Sequence, residues 1–319
     1  MALGSTSREP ESKVAARGNE PMLRGAYVTL ADLLRLRYRR LPAPPHSARV
    51  MGSQAGNRLS KLRGRGIDFS EVRAYQPGDD VRTIDWRVTA RKNKPHTKVF
   101  REERERLTLI VVDQTQSMFF GSEARLKSVA AAELAGLGAW QALNHNDRVG
   151  GMIIGNDGYL AHKPYRNIKS VARFLKDLAT TNQSLARGRP HPSRDHYAQA
   201  LAQIRRLAHS NYRIYFISDF QVQGDHWREA FRSLSRHNEV VAIRIYDPLE
   251  QQLPPADSYT VTDGDSRLQF HTGNTKLRAS YEARYSQAEE QLKKVCQQTL
   301  VDYRAIATNE PLTRLPGWT

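Results

Sequence analysis

The chain has 319 residues, 39% of them hydrophobic, and 49 Lys/Arg against 33 Asp/Glu give it a net charge of +16. That length allows one large α/β domain with a smaller attachment, and the composition excludes a disordered chain. No window approaches the roughly 18 consecutive apolar residues that cross a bilayer, and the first residues lack the apolar centre of an export signal, so a soluble, cytoplasmic protein is expected.

The basic character is uneven. Residues 1–106 hold 23 Lys/Arg against 12 Asp/Glu, and the remainder 26 against 21. Such a surface suits nucleic acid, anionic lipid or an acidic protein partner. The single cysteine, Cys296, has no partner for an internal disulfide and falls in a helical pattern, which reads as a structural thiol.

Residues 1–21 are polar and read as a disordered tail. Over 29–40 the sequence TLADLLRLRYRR places Leu30, Leu33, Leu34 and Leu36 at near-helical spacing, with Thr29 as N-cap and Pro42 beyond the end. A basic amphipathic helix can lie on a membrane surface, but at this length an arm packed on its own domain or on a partner is the stronger expectation. Residues 42–66 are rich in Pro and Gly and read as loop. In residues 73–91, Asp79, Asp80 and Asp85 alternate with Arg73, Arg82, Arg87 and Arg91 around a Pro77-Gly78 turn, with a helical segment expected over 81–91. Ion pairs that hold an irregular segment together explain this mixture, and a partner-facing surface is the alternative. Residues 96–106 suit a strand leading into the next one.

Residues 107–117, LTLIVVDQTQS, are an apolar β-branched run ending in a carboxylate and two hydroxyls, which suits a strand buried on both faces. A long helix is expected over 124–143, a strand over 149–154, a helix over 168–178, a loop over 181–195 and a helix over 196–207. A second apolar strand, 212–217, ends in Ser218-Asp219. A helix over 226–236, a strand over 240–246, a hairpin of 258–262 with 267–271, a helix over 275–300 and a strand over 301–307 complete the pattern. Alternating strands and helices predict an open, mostly parallel sheet with helices on both faces.

In such a sheet, ligands bind beyond the carboxyl ends of the strands. Asp113, Thr115 and Ser117, with Asp219 from the later strand, supply only small oxygen donors, the set that hard cations such as magnesium take. An incomplete shell leaves a position for water or for a partner's carboxylate. A carboxylate in this place also fits a metal-dependent phosphotransferase or hydrolase using Asp113, although those enzymes want a second Asp where Thr115 stands.

The pattern at Asp113, Thr115 and Ser117 resembles the metal-ion-dependent adhesion site of von Willebrand factor type A domains. More specifically, R-x-Y-x-P-G-D-D-x-R-x-I-D-W-x-x-x-A-R at 73–91 resembles the hallmark of the bacterial family named domain of unknown function 58 (DUF 58). The likeness continues through FREE at 100–103, Met118, Gly121-Ser122, Lys127, DRVG at 147–150 and SDF at 218–220, covering roughly residues 58–310. The resemblance implies a von Willebrand A-like domain over 107–310, preceded by a basic segment over 22–106 and followed by a tail over 311–319. It makes Thr115 and Ser117 direct magnesium ligands, with Asp113 and Asp219 acting directly or through water. The Thr expected from a third loop is absent, and Asp195, with Ser193 nearby, is the nearest equivalent.

The resemblance further implies a non-catalytic adaptor working with a MoxR-type AAA+ ATPase and other von Willebrand A-like proteins in protein assembly or metal insertion. Arg73, Asp79, Asp80, Arg82, Asp85, Trp86 and Arg91 are the candidate partner-binding residues. No small-molecule substrate is expected, and membrane association would be peripheral. Nucleic-acid binding through the basic N-terminal third is the remaining alternative, with few aromatic residues there to stack on bases.

Overall fold

The computed structural model describes residues 22–39, 67–102, 106–187, 194–221, 226–253, 258–262, 267–271, 273 and 275–312; for 67–71, 99–102, 194–195, 226, 258–262 and 267–271 it describes the backbone alone. The tail expected at 1–21, the loop at 42–66, Ser193, and all of the C-terminal tail beyond 312 lie outside these residues.

The chain opens with α1 (Leu30–Arg35), continued by a 3-10 turn over Leu36–Tyr38. Next, β1 (Ile67–Ala74) and β2 (His96–Glu102) pair antiparallel as a separate two-stranded sheet, with α2 (Trp86–Lys92) between them in sequence. The main domain then runs β3 (Leu107–Gln114), α3 (Lys127–Asn144), β4 (Arg148–Gly155), β5 (Gly158–Tyr165), α4 (Ile168–Ser184), α5 (Arg194–Leu207), β6 (Tyr212–Ser218), α6 (His226–Leu234), β7 (Glu239–Tyr246) and α7 (Pro248–Gln251). The hairpin β8 (Ser258–Thr262) and β9 (Arg267–His271), the helix α8 (Thr275–Gln298) and the strand β10 (Asp302–Ala307) close it.

Six strands form one sheet in the order β10-β7-β6-β3-β4-β5, parallel throughout except between β4 and β5. This is the open, mostly parallel α/β sheet with helices on both faces expected from the alternation of elements. The β-branched run of β3 is buried on both faces because its side chains alternate: Ile110 and Val112 join the core under α3 and α4, while Leu109 and Val111 join the core under α5, α6 and α8. From β3 the chain builds outward through β4 and β5, then returns to β6 on the other side. The crevice at the carboxyl ends of β3 and β6 is therefore the switch point of the sheet.

Thr29 caps α1 reciprocally. Its hydroxyl accepts from the Asp32 amide at 3.2 Å, and the Asp32 carboxylate accepts from the Thr29 amide at 3.0 Å. The leucines of this arm pack on the chain's own domain: Leu33 and Leu36 are buried in the α3 and α4 core, and Trp140 Nε1 donates to the Leu33 carbonyl at 2.9 Å. Among the described residues no helix is long and apolar enough to cross a membrane.

Two expectations change, and two strand pairings add to them. The helix expected over 81–91 is split into a 3-10 turn, Val81–Thr83, and α2, because Asp80 and Asp85 each turn back to cap a separate segment. The strand expected from His96 is present as β2, and it pairs antiparallel with β1 in a sheet of its own. Residues 181–187, expected as loop, continue α4 and end in a 3-10 turn. The edge strand β5 gives no clean alternation in sequence, since none of its residues is buried and its pairing with β4 shifts register between Val149 and Gly151. At Gly151 the sheet admits a helix side chain closely: a Cβ there would lie 2.4 Å from the Phe174 ring.

Candidate cation-binding site

The carboxyl end of β3 places Asp113 in the switch-point crevice, buried, with each oxygen accepting two hydrogen bonds. Oδ1 takes the Thr115 amide at 3.0 Å and the Thr115 hydroxyl at 2.7 Å; Oδ2 takes the Tyr197 hydroxyl at 2.7 Å and the Ser218 hydroxyl at 2.6 Å. The loop after β3 is held in place by a 3-10 turn over Gln116–Met118, by buried Met118, and by the Gln116 amide donating to Asn156 Oδ1 at 2.8 Å. That turn brings Thr115 Oγ1 and Ser117 Oγ to 3.2 Å from each other, with Thr115 buried and Ser117 half-buried.

Asp219 follows β6. Phe220 adopts a left-handed backbone, φ 56°, rare for a bulky residue, and its ring packs at 4.9 Å from Trp227. This turn lets Asp219 Oδ1 accept from the Gln221 amide at 3.1 Å while Oδ2 accepts from Lys127 Nζ at 2.8 Å. Lys127 starts α3, is wholly buried, and also donates to Glu250 Oε1 at 2.6 Å. Burial pulls the Lys127 ammonium down, but Asp219 and Glu250 outweigh it and hold it above the ordinary lysine value. Burial, with Asp219 nearby, pushes Asp113 up to about 6. Burial and the neighbouring Asp113 also push the Tyr197 phenol well up, so it serves as a donor.

The structure thus brings Asp113, Thr115, Ser117 and Asp219 to one place, as the sequence suggested. Asp195 lies in the first turn of α5 by its backbone, and the described side chain that α5 sends to the strand end is Tyr197, whose hydroxyl is also 3.2 Å from Thr115 Oγ1. Tyr197, Lys127 and Glu250 were missed as site residues. Lys127 carried a family signal but no role, and the other two are joined to the site only by contacts across 84 and 123 positions.

A hard divalent cation fits these residues in kind and spacing. The donors are hydroxyls and carboxylates, and the 3.2 Å between Thr115 Oγ1 and Ser117 Oγ is close to the roughly 3 Å edge of an octahedron with oxygens about 2.0–2.1 Å from magnesium. Because Thr115 gives its proton to Asp113, its oxygen keeps lone pairs for an ion. Thr115 and Ser117 would hold the cation, Asp113 orienting Thr115 through its hydroxyl and Asp219 being already bonded to Lys127. Among the described residues no cluster of three or more His, Cys, Asp or Glu could hold a metal, so any such ion rests on the hydroxyl pair.

The other candidate residues lie in the small sheet and its connection. Arg73 and Asp79 pair at 2.7 Å, which holds the Asp79 carboxyl below its usual range, and Asp80 and Asp85 cap the two short helical segments. Arg82, Trp86 and Arg91 point into solvent. Cys296 is buried in α8, in keeping with a structural thiol, and burial pushes it up to about 12.

The chain is 31% identical over 212 residues, 66% of its length, to the uncharacterized protein Rv1480 of Mycobacterium tuberculosis and to the uncharacterized protein Mb1516 of Mycobacterium bovis; it spans 65% of the length of each. Among solved structures it is similar to the conserved hypothetical protein BatB from Bacteroides thetaiotaomicron, at 12% identity and a TM-score of 0.38, covering 63% of this chain and 89% of that one. It is also similar to a von Willebrand factor type A protein from Catenulispora acidiphila, at 15% identity and a TM-score of 0.29, covering 48% of this chain and 35% of that one. The profile of the family described as "Protein of unknown function DUF58" matches residues 71–291, and the chain belongs to that family.

Proposed function

We propose that this protein is a non-catalytic adaptor that docks a partner at the carboxyl ends of β3 and β6 through a magnesium ion held by Thr115 and Ser117. The observation that carries this reading is the hydroxyl pair, fixed 3.2 Å apart beside a buried carboxylate and half open to solvent at Ser117. Lys127 already engages Asp219, so Asp219 is not free to close the ion's shell and the open side faces outward. A carboxylate from a partner is the natural ligand for the open side. Asp113 is poorly placed to attack a substrate, because both of its oxygens already accept two hydrogen bonds each.

Relatives in this family are commonly encoded beside MoxR-type AAA+ ATPases, which makes such an ATPase the partner we propose, in protein assembly or metal insertion. The test is co-sedimentation of purified wild type and Asp113→Ala with the purified ATPase from the same cells, in magnesium and in chelator. Binding by the wild type in magnesium, lost in the variant, supports the reading. Equal recovery of the ATPase in every condition removes the ion bridge, and turnover of a phosphoester by the wild type replaces the adaptor with an enzyme.

A further inference from the structure

A second surface lies outside the strand-end site. Trp86, at the start of α2, is 71% exposed, and Val81, in the preceding 3-10 turn, is 62% exposed. An indole is a large apolar surface to leave in water, and aromatic residues in that state are enriched where proteins meet. Arg82, Arg87, Arg91 and Lys92 are exposed in the same short stretch. Arg87 and Arg91 stand four apart, on one side of α2.

The acidic residues of this stretch do not balance those arginines. Asp79 accepts from Arg73 at 2.7 Å and from the Gln76 amide at 2.9 Å. Asp80 accepts from the Arg82 amide at 2.9 Å to cap the 3-10 turn. Asp85 accepts from the Arg87 and Val88 amides at 3.0 and 3.1 Å, and faces Lys98 at 3.6 Å. The carboxylates shape the backbone, whereas the side chains of Arg82, Arg87 and Arg91 make no ion pair among the described residues. The ion-pair explanation of this motif therefore holds for Arg73 and, among the described residues, leaves the other three guanidinium groups without a carboxylate partner.

We propose that Val81, Arg82, Trp86, Arg87 and Arg91 form a docking surface for an acidic segment of another protein that carries an apolar side chain. The apolar group covers Trp86 and Val81, and carboxylates take the guanidinium groups in paired hydrogen bonds. A protein is favoured over nucleic acid because the exposed apolar groups are one indole and one aliphatic side chain. No second exposed aromatic among the described side chains of this unit offers a platform for consecutive bases.

The test uses the full chain and a fluorescent peptide repeating Glu-Glu-Leu, with its Gln-Gln-Leu counterpart and a labelled DNA duplex as comparisons. The acidic peptide is expected to bind saturably and equally well in magnesium and in chelator, which separates this surface from the strand-end site. Trp86→Ala should weaken binding about tenfold or more, the pair Arg87→Glu and Arg91→Glu at least as much, and Tyr38→Ala, at another exposed aromatic, not at all. Unchanged melting of the variants checks that they fold. The proposal is overturned if the acidic peptide does not bind, if the Gln-Gln-Leu peptide binds as well, or if Trp86→Ala binds like the wild type. Tighter, Trp86-dependent binding of the duplex would also overturn it, in favour of nucleic acid.

Discussion

Asp113 is a buried carboxylate whose titration is displaced upward by its surroundings. With the protein in chelator, burial and Asp219 hold its carboxyl at about 6, against an ordinary value of 3.8. Between those values the folded chain keeps a proton that the unfolded chain has released, so this group's contribution to stability is fully present below the lower value and is lost as pH rises through the higher one. The loss is on the order of 3 kcal/mol. Asp113→Asn is expected to remove that slope, which urea melts at pH 4.5 and 7 would show as a difference between wild type and variant; parallel curves would rule it out. Lys127→Met should cost about 3–5 kcal/mol, since it leaves Asp219 buried without its counter-charge. A loss below about 1 kcal/mol, the range of exposed pairs, would mean that Lys127 is not the effective partner. Asp113, Thr115, Ser117 and Asp219 were legible because each follows a run of apolar residues that only a buried strand explains. Lys127 was not, since a lysine in the first turn of a helix reads as solvated until the fold brings Asp219 and Glu250 to it.

The N-terminal arm shows how an element's sequence can suit several surfaces. The leucines of 29–40 would serve a membrane, a partner or the chain's own domain, and only the groove beside α3 decides. There Gly136 leaves room for Leu36, whose Cδ1 would lie 2.8 Å from an added Cβ, and Trp140 fixes the end of α1 through the Leu33 carbonyl. Leu33→Ala is expected to cost about 2–5 kcal/mol in a denaturant melt, and a loss typical of a surface leucine would mean that the arm does not pack there in solution. The stretch 73–91 teaches the opposite lesson. Its residue types promised one helix and a network of ion pairs, but carboxylates two and three residues ahead of backbone amides compete for them locally, so Asp80 and Asp85 divide the segment instead.

For the molecule as a whole, the alternation of strands and helices was enough to give the mostly parallel sheet covered on both faces and the crevice at the carboxyl ends of its strands, whereas the pairing of β3 with β6 that sets the switch point came only with the fold. The antiparallel edge strand β5 and the pairing of β1 with β2 were not legible, because β5 has no buried residue and the pairing spans the intervening 75–95 stretch. The site inherits the same division: the residues on strand ends could be read, and those that α5 and α7 deliver could not. What remains to be measured is the ion itself. Calorimetric titration of magnesium into chelator-stripped wild type should show a single site, lost when Thr115→Val and Ser117→Ala together remove the hydroxyl pair, and raising the melting temperature by an amount that grows with ion concentration. Heat and melting that are the same for wild type and the double variant would contradict the ion site on which the adaptor reading depends.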